Sequence, residues 1–422
     1  MVFLPFTYFL LLTIVWWKKH QGFDICVFMS ALYTITSLFA IIIVLGDMLG
    51  EGGILFDRSD LKMDFLPTIT YCALITISIL PFSLIYGKDL KIIKPSMRFV
   101  IISIVAFLAM IALLNLYLVA DSTIEILSGD LSTVRSDHYE GLLSPAQVKA
   151  ETMPLIVRFL YQFNQSTILA LPLMFYYICF DHKPWWFIIG LLFISLSAPL
   201  AGIQSADRTE VAFYALMFFY CLVFFKPFIS KKFIRRMIFA GLPVAIAALA
   251  YFIAVSQARF EDREGGAGRS AVQYVGQGYL NFCFFWDKAN SDLISAEREL
   301  PLLHHFLFHV DNSPEQRAIR SGKQGFFISV FPSFVGDLLL DISLIGAIIW
   351  VLYYFIIVFL IIKKAHRTEI DIGEMLALFV MAVIPIFGIF YYRYMRYPHT
   401  FIILLTLIVY ILTKLRYAKL KK

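Results

Sequence analysis

Three histidines crowd into His304-His305-Phe306-Leu307-Phe308-His309. On a helix His305 and His309 would share one face four residues apart, which is the spacing of a zinc pair. No acid or cysteine stands at a companion distance, so no metal site is expected. An imidazole titrating near neutral pH is better used as a general base, with His304, His305 and His309 as the candidates. The same pattern also suits the polar side of an exposed structural helix.

Arginines make the second group. Arg208 stands in Ser205-Ala206-Asp207-Arg208-Thr209-Glu210, where a short turn enters an apolar run. A charge at such a boundary costs free energy unless it is paired, here with Asp207 or Glu210, or used on a ligand. Arg259 and Arg263 follow in Gln257-Ala258-Arg259-Phe260-Glu261-Asp262-Arg263, and Arg269 closes Gly265-Gly266-Ala267-Gly268-Arg269-Ser270. Guanidinium presents a rigid fork of donors to phosphate oxygens, and glycine lets backbone amides come close to an anion. There is no phosphate-loop lysine, so a nucleotide site is not expected. Arg158, Gln162 and Gln165 are spaced to share one helical face.

Gln273-Tyr274-Val275-Gly276-Gln277-Gly278-Tyr279-Leu280-Asn281-Phe282 alternates aromatics with amides and glycines. Tyr274 and Tyr279 could stack on sugar faces and Asn281 could bond hydroxyls; an interfacial aromatic belt accounts for the rings as well. Arg393 lies in a second aromatic stretch, Tyr391-Tyr392-Arg393-Tyr394-Met395-Arg396-Tyr397, with the same two readings.

These residues are embedded in an unusually apolar chain. It has 422 residues, 60% hydrophobic and only 16% charged, with mean hydropathy +0.78. A soluble domain carries about 25% charged residues. One water-soluble core cannot hide so much apolar surface, which leaves an all-α polytopic membrane protein. A spanning helix needs about 20 apolar residues. Eleven runs qualify: 3–17, 25–45, 65–86, 99–119, 155–177, 185–200, 211–225, 237–256, 342–362, 375–390 and 401–412.

Basic residues favour the cytoplasmic side of short loops. With the 18–24 loop inside, that side collects twenty of the 36 basic residues and six of the 30 acids. The N-terminus is then outside and the C-terminus cytoplasmic. The cytoplasmic set is rich in lysine and suits anionic lipid headgroups rather than nucleic acid, whereas the outer set is rich in arginine. A twelfth apolar stretch, 326–340, would invert every later loop if it crossed. It is read as a re-entrant or surface-lying segment, with Pro332, Gly336, Asp337 and Asp341 suited to that place. The chain is thus expected to be one integral membrane domain, 1–422. Its outer side carries a medium loop, 121–153, and a large loop with the re-entrant segment, 257–341. The five cysteines form no disulfide or zinc pattern.

From 202 to 346 the order of features resembles the Wzy-type O-antigen and capsular repeat-unit polymerases, relatives of the O-antigen ligases. Arg208 opens a helix after a short outer turn, Arg259 follows the next helix, and an aromatic-glycine run ends in Asn281-Phe282. A large outer loop then closes into Leu340-Asp341-Ile342-Ser343-Leu344-Ile345-Gly346. The family often has Asp-Phe-Gly at that closing position, where this chain has Asp341-Ile342-Ser343. The resemblance implies a GT-C-like glycosyltransferase of the bacterial inner membrane that needs no cofactor. It would join undecaprenyl-diphosphate-linked oligosaccharide repeats, beside a flippase and a chain-length regulator. It also implies that Arg208 and Arg259 hold the diphosphate, assisted by Arg263, Arg269 or Arg158. Three other readings stay open: an O-antigen ligase, a polyprenyl-phosphate-sugar transferase using Asp57 or Asp60, and a lipid-linked oligosaccharide transporter.

Overall fold

The computed structural model describes residues 1–49, 61–85, 98–128, 149, 152–181, 183–203, 208–230, 257, 266–288, 296–309, 314–324, 330–365 and 370–420. Among the described residues all regular structure is helical. In chain order the helices are α1 (Phe3–Lys19), α2 (Ile25–Leu45), α3 (Phe65–Ile79), α4 (Arg98–Ser128), α5 (Leu155–Tyr161), α6 (Ala170–Tyr176) and α7 (Trp185–Ile203). They continue with α8 (Arg208–Phe225), α9 (Gly266–Lys288), α10 (Pro301–Phe308), α11 (Pro314–Gln324), α12 (Ser333–Ala365), α13 (Ile372–Phe387) and α14 (Tyr397–Leu420). Six helices among the described residues are long and apolar enough to cross a membrane, or seven if one bent pair counts as a span. The protein is therefore a multi-span helical membrane protein. Of the eleven expected runs, 237–256 lies outside the described residues, and 185–200 and 375–390 correspond to the shorter apolar helices α7 and α13.

Local chemistry sets several helix ends. Asp24 caps α2 by accepting from Val27 N at 2.9 Å, while its second oxygen meets His20 Nδ1 at 2.5 Å. One carboxylate thus closes the α1–α2 hairpin, and Lys18 and Lys19 sit at the negative end of the α1 dipole. The run 155–177 is not one straight helix. It breaks after α5 and bends by 46° into a 3₁₀ turn, Asn164–Leu169, ahead of α6. Thr167 Oγ1 donates to Asn164 O at 2.8 Å, the local side-chain bonding that competes with helix. Arg158, Gln162 and Gln165 therefore do not share a helical face: Arg158 is exposed and Gln165 is buried.

The chain forms two compact units interleaved along the sequence. One comprises 1–91, 268–369 and 380–400; the other comprises 92–267, 370–379 and 401–422. In the second unit the buried Asn115 of α4 donates to Ser197 O in α7 at 2.9 Å. Lys414 of α14 meets Asp371 Oδ2 at 2.6 Å and also Glu374, the two acids whose side chains cap each other's backbone N–H at the start of α13.

The core of the first unit is an aromatic chain through four helices. Phe9 meets Tyr33 and Tyr71 with ring centres 5.4 and 6.4 Å apart, and Tyr71 meets Tyr279 and Phe282 at 5.3 Å each. Tyr279 and Phe282 belong to α9, which lies inside the region expected to be the large outer loop. That region is largely helical, because α9 has an apolar face to bury and amides that find partners at the loops around it. Gln273 Nε2 donates to Met48 O at 2.8 Å, and Asn281 Nδ2 donates to Phe331 O at 3.2 Å.

Gly276 lets α9 approach α2 at backbone distance: a Cβ there would lie 2.6 Å from Phe39 C and 2.7 Å from Ala40 N. Gly276→Ala should therefore destabilise the protein by about 1–3 kcal/mol through overpacking against backbone that cannot yield. Gly322→Ala, which meets nothing within 4 Å on α11, should be neutral or slightly stabilising. Thermal unfolding of both variants in detergent checks the pair; equal midpoints would contradict the packing.

Candidate functional site

The charged centre of the first unit is built on the opening of α12. Residues 333–342 form a short helix, the backbone leaves helical geometry at Ser343 (φ 65°, ψ 175°), and 344–365 continue as a long apolar helix. At 1.5 Å per residue the first piece is about 15 Å long, too short to cross a bilayer core by itself. It does not lie on the surface. Phe334, Val335 and Leu338 are fully buried, with Asp337 and Asp341 beside them at 1% and 0% exposure. This corrects the surface-lying alternative over 333–340, which is buried; 325–329 lie outside the described residues. Its first N–H groups are satisfied by the turn after α13: Ser333 N donates to Phe390 O at 3.0 Å and Phe334 N to Gly388 O at 2.8 Å.

Asp337 and Asp341 stand one helical turn apart on the same face. A buried carboxylate is tolerated only when charges and donors replace water. Asp337 pairs with the Arg298 guanidinium and accepts from Tyr392 N at 2.7 Å. Asp341 pairs with Arg320 of α11 and accepts from Arg298 N at 2.7 Å. Arg320 also reaches Glu297 Oε2 at 2.9 Å. The turn 296–299, placed by Ala296 at φ 53° with its N–H on Asp341 O at 3.3 Å, brings Glu297, Arg298 and Glu299 to the end of the short helix. Burial pushes the Glu299 carboxyl well above the ordinary glutamate range, and its hydrogen bond to the Asp341 carboxylate, together with that negative charge, adds to the shift; Arg298 opposes it. Burial likewise raises the Tyr392 phenol beside it.

Next to this centre the turn 388–396 buries Arg393 (1% exposed), whose guanidinium donates to Tyr391 Oη at 3.1 Å and lies 5.2 Å from the centre of the Phe387 ring. The His305 ring of α10 stacks on Tyr397 at 3.9 Å with an interplanar angle of 11°. The histidine segment and the aromatic-arginine stretch, 92 residues apart in sequence at this contact, thus meet. His305 Nδ1 is shielded and finds no hydrogen-bond partner among the described residues. His304 packs on Phe308, while His309 ends α10 in the left-handed region at φ 54°, exposed.

The other expected residues are dispersed. Arg208 begins α8 in the second unit, where its backbone is described but its side chain is not, and Arg158 belongs to the same unit. Arg259 and Arg263 lie outside the described residues. Arg269 donates to Asp47 O at 3.3 Å. Tyr279 and Asn281 are taken up in the interior, the phenol against Thr68 Oγ1 at 2.7 Å, whereas Tyr274 is half-buried against Phe331. Among the described residues no group of three or more His, Cys, Asp or Glu side chains is arranged to hold a metal ion. The carboxylates that converge here face guanidinium groups instead. Asp337, Asp341, Arg298, Glu299 and Arg320 did not emerge as a site from the sequence. Two acids at helical spacing within an apolar run were the available signal; nothing local marks their partners.

No family model, curated protein or solved structure matches this chain.

Two outcomes follow from this geometry. Ser343 occupies backbone space that is nearly reserved for glycine and costs about 1–3 kcal/mol for other residues. Ser343→Gly should raise the unfolding midpoint by relieving a comparable amount, and Ser343→Val should lower it. Arg298→Met leaves Asp337 buried without its cation and should cost about 3–5 kcal/mol, most of it recovered in the double variant Arg298→Met/Asp337→Leu. Chemical denaturation of the single and double variants measures this; equal loss in both would show that the pair is not a unit.

Proposed function

We propose that this protein is a membrane glycosyltransferase that polymerises polyprenyl-diphosphate-linked oligosaccharide repeats at the outer face of a bacterial inner membrane. The N-terminus faces outward and the C-terminus the cytoplasm in this reading, and the overall architecture is GT-C-like. The observation that carries it is the backbone at Ser343. The repeat-unit polymerases that the chain resembles have Asp-Phe-Gly where this chain has Asp341-Ile342-Ser343, and Ser343 adopts the conformation that glycine favours. The meeting of His305 with the aromatic-arginine turn is a second support.

In the reaction, the bond between the reducing-end sugar of the growing chain and its lipid diphosphate breaks. A hydroxyl oxygen of a new lipid-linked repeat forms the new glycosidic bond and loses its proton. The diphosphate leaves readily once its developing charge is neutralised, so the protein's main tasks are positioning and electrostatics. Arg208 and Arg259 take the diphosphate, with Arg263, Arg269 and Arg158 as auxiliaries. His305 is the favoured base, being partly exposed and held by Tyr397, ahead of His304 and His309. Tyr274 is the aromatic left accessible for glycan stacking. A flippase that delivers repeats and a regulator of chain length are the expected partners.

Arg208→Ala and Arg259→Ala should abolish chain growth at unchanged protein level, and His305→Ala should reduce it by about 10²–10⁴-fold, the range of general-base catalysis. Surface polysaccharide is resolved on a gel beside the extracted lipid-linked pool. Surface lipid with a single repeat and no ladder, in the deletion strain and the arginine variants, is the expected result. Bare core with long polymer stranded on the lipid diphosphate would identify a ligase instead, and normal ladders in both arginine variants would refute the diphosphate assignment.

A further inference from the structure

The Glu299 carboxyl sits in an unusual place. The residue is half-buried overall, yet both carboxyl oxygens are sealed from solvent; among the described residues no other residue's N–H or hydroxyl donates to them, and only Glu299's own backbone N–H favours the anion. Its partner is another acid, Asp341. Two carboxylates have only acceptors to offer each other, so a hydrogen bond between them needs one carboxyl to carry a hydrogen. Asp341 already accepts from Arg298 N at 2.7 Å and pairs with Arg320, both of which favour its anion. The hydrogen therefore belongs to Glu299.

From this geometry we infer that Glu299 and Asp341 form a binding site for one exchangeable proton, and that the bound proton holds the 296–299 turn against the end of the short helix. Among the described residues the groups facing the pair come from several elements around it. Glu297 and Arg298 lie on the turn itself, Asp337 is one helical turn before Asp341, Arg320 comes from α11, and Tyr392 comes from the turn after α13. Arg298 is engaged by Asp337, and Arg320 is divided between Glu297 and Asp341, so neither cation is dedicated to Glu299. Losing the proton would set two like charges against each other, out of water, where the backbone is already forced at Ala296 and Ser343. The proton is thus the ligand that closes this junction. This inference concerns the junction alone and does not rest on the polymerase reading.

The sign of the pH dependence follows. Glu299 has a raised folded-state pKa, so its contribution to stability is full below the ordinary glutamate value, near pH 4, and is lost as pH rises towards the folded value. Glutamine keeps a donor for Asp341 and cannot ionise.

Infrared difference spectroscopy on the full-length protein in detergent, wild type minus Glu299→Gln, tests the site directly. A deuterium-sensitive carbonyl band of one protonated carboxylic acid is expected at pH 7. Asp341→Asn should shift or remove that band. No band in the wild-type difference, or an unchanged band in Asp341→Asn, would overturn the shared proton. Unfolding midpoints give a second readout. The wild-type midpoint should fall between about pH 5 and about pH 9 relative to Glu299→Gln, with the variant the more stable at the alkaline end. A Glu299→Gln protein less stable than wild type across that range would mean an ionised Glu299 and would also overturn the proposal. Glycan ladders from Arg208→Ala cells test the other reading separately.

Discussion

Charge buried in an apolar helix has to be neutralised by something the chain can bring to it, and much of the first unit is organised by that requirement. Asp337 and Asp341 sit within an apolar segment where water does not solvate them. Their partners arrive from three directions: Arg298 from the turn before α10, Arg320 from α11, and the Tyr392 N–H from the turn after α13. Each partner fixes the segment it belongs to. The described parts of the stretch between α9 and α12, 296–309 and 314–324, are thereby held in place without being especially apolar. Removing Asp337 would take a partner from the Arg298 guanidinium and the acceptor from Tyr392 N, and removing Asp341 would take one from Arg320 and from Arg298 N, which couples the pairs into one network.

The second unit meets the same requirement more simply. Asp371 and Glu374 cap one another's backbone at the start of α13, and Lys414 answers both from α14. Acids at a helix N-terminus are already favoured by the exposed N–H groups and the dipole. One flexible lysine then suffices. In the first unit the acids lie within a helix, away from its N-terminus, and two arginines are needed instead: Arg320 divides its guanidinium between Glu297 and Asp341, and Arg298 meets Asp337 with its guanidinium and Asp341 with its backbone N–H.

Much of this architecture is legible in the residues. α2 runs over 25–45 as its apolar pattern requires, and α3, α4 and α8 begin within three residues of their expected starts, although α3 gives way to a 3₁₀ turn after Ile79 and α4 continues to Ser128, beyond the expected end at 119. The break near Gln162 was hidden, since a hydropathy window averages over Asn164 and Thr167 and overlooks the turn they favour. The sequence does not announce α9, because its amides dilute its apolar face; the neighbouring carbonyls of Met48 and Phe331 explain why Gln273 and Asn281 are buried. The charged centre was half visible. Asp337 and Asp341 are conspicuous in an apolar run, but Arg298 and Arg320 resemble any other loop arginines until the fold brings them across some twenty to forty residues.

The interleaving of the units has a consequence for biogenesis. The first unit draws its last pieces from 380–400, so it cannot be completed until nearly the whole chain has left the ribosome. α9, with Gln273, Gln277 and Asn281 buried along it, is a poor substrate for insertion into lipid by itself and gains its place only against α2 and α3. Asp337 of α12 likewise waits for a backbone donor at Tyr392, 55 residues later in the chain. A chain stalled or truncated before residue 392 would leave Asp337 with Arg298 but without its backbone donor, one short of the set that stabilises it out of water.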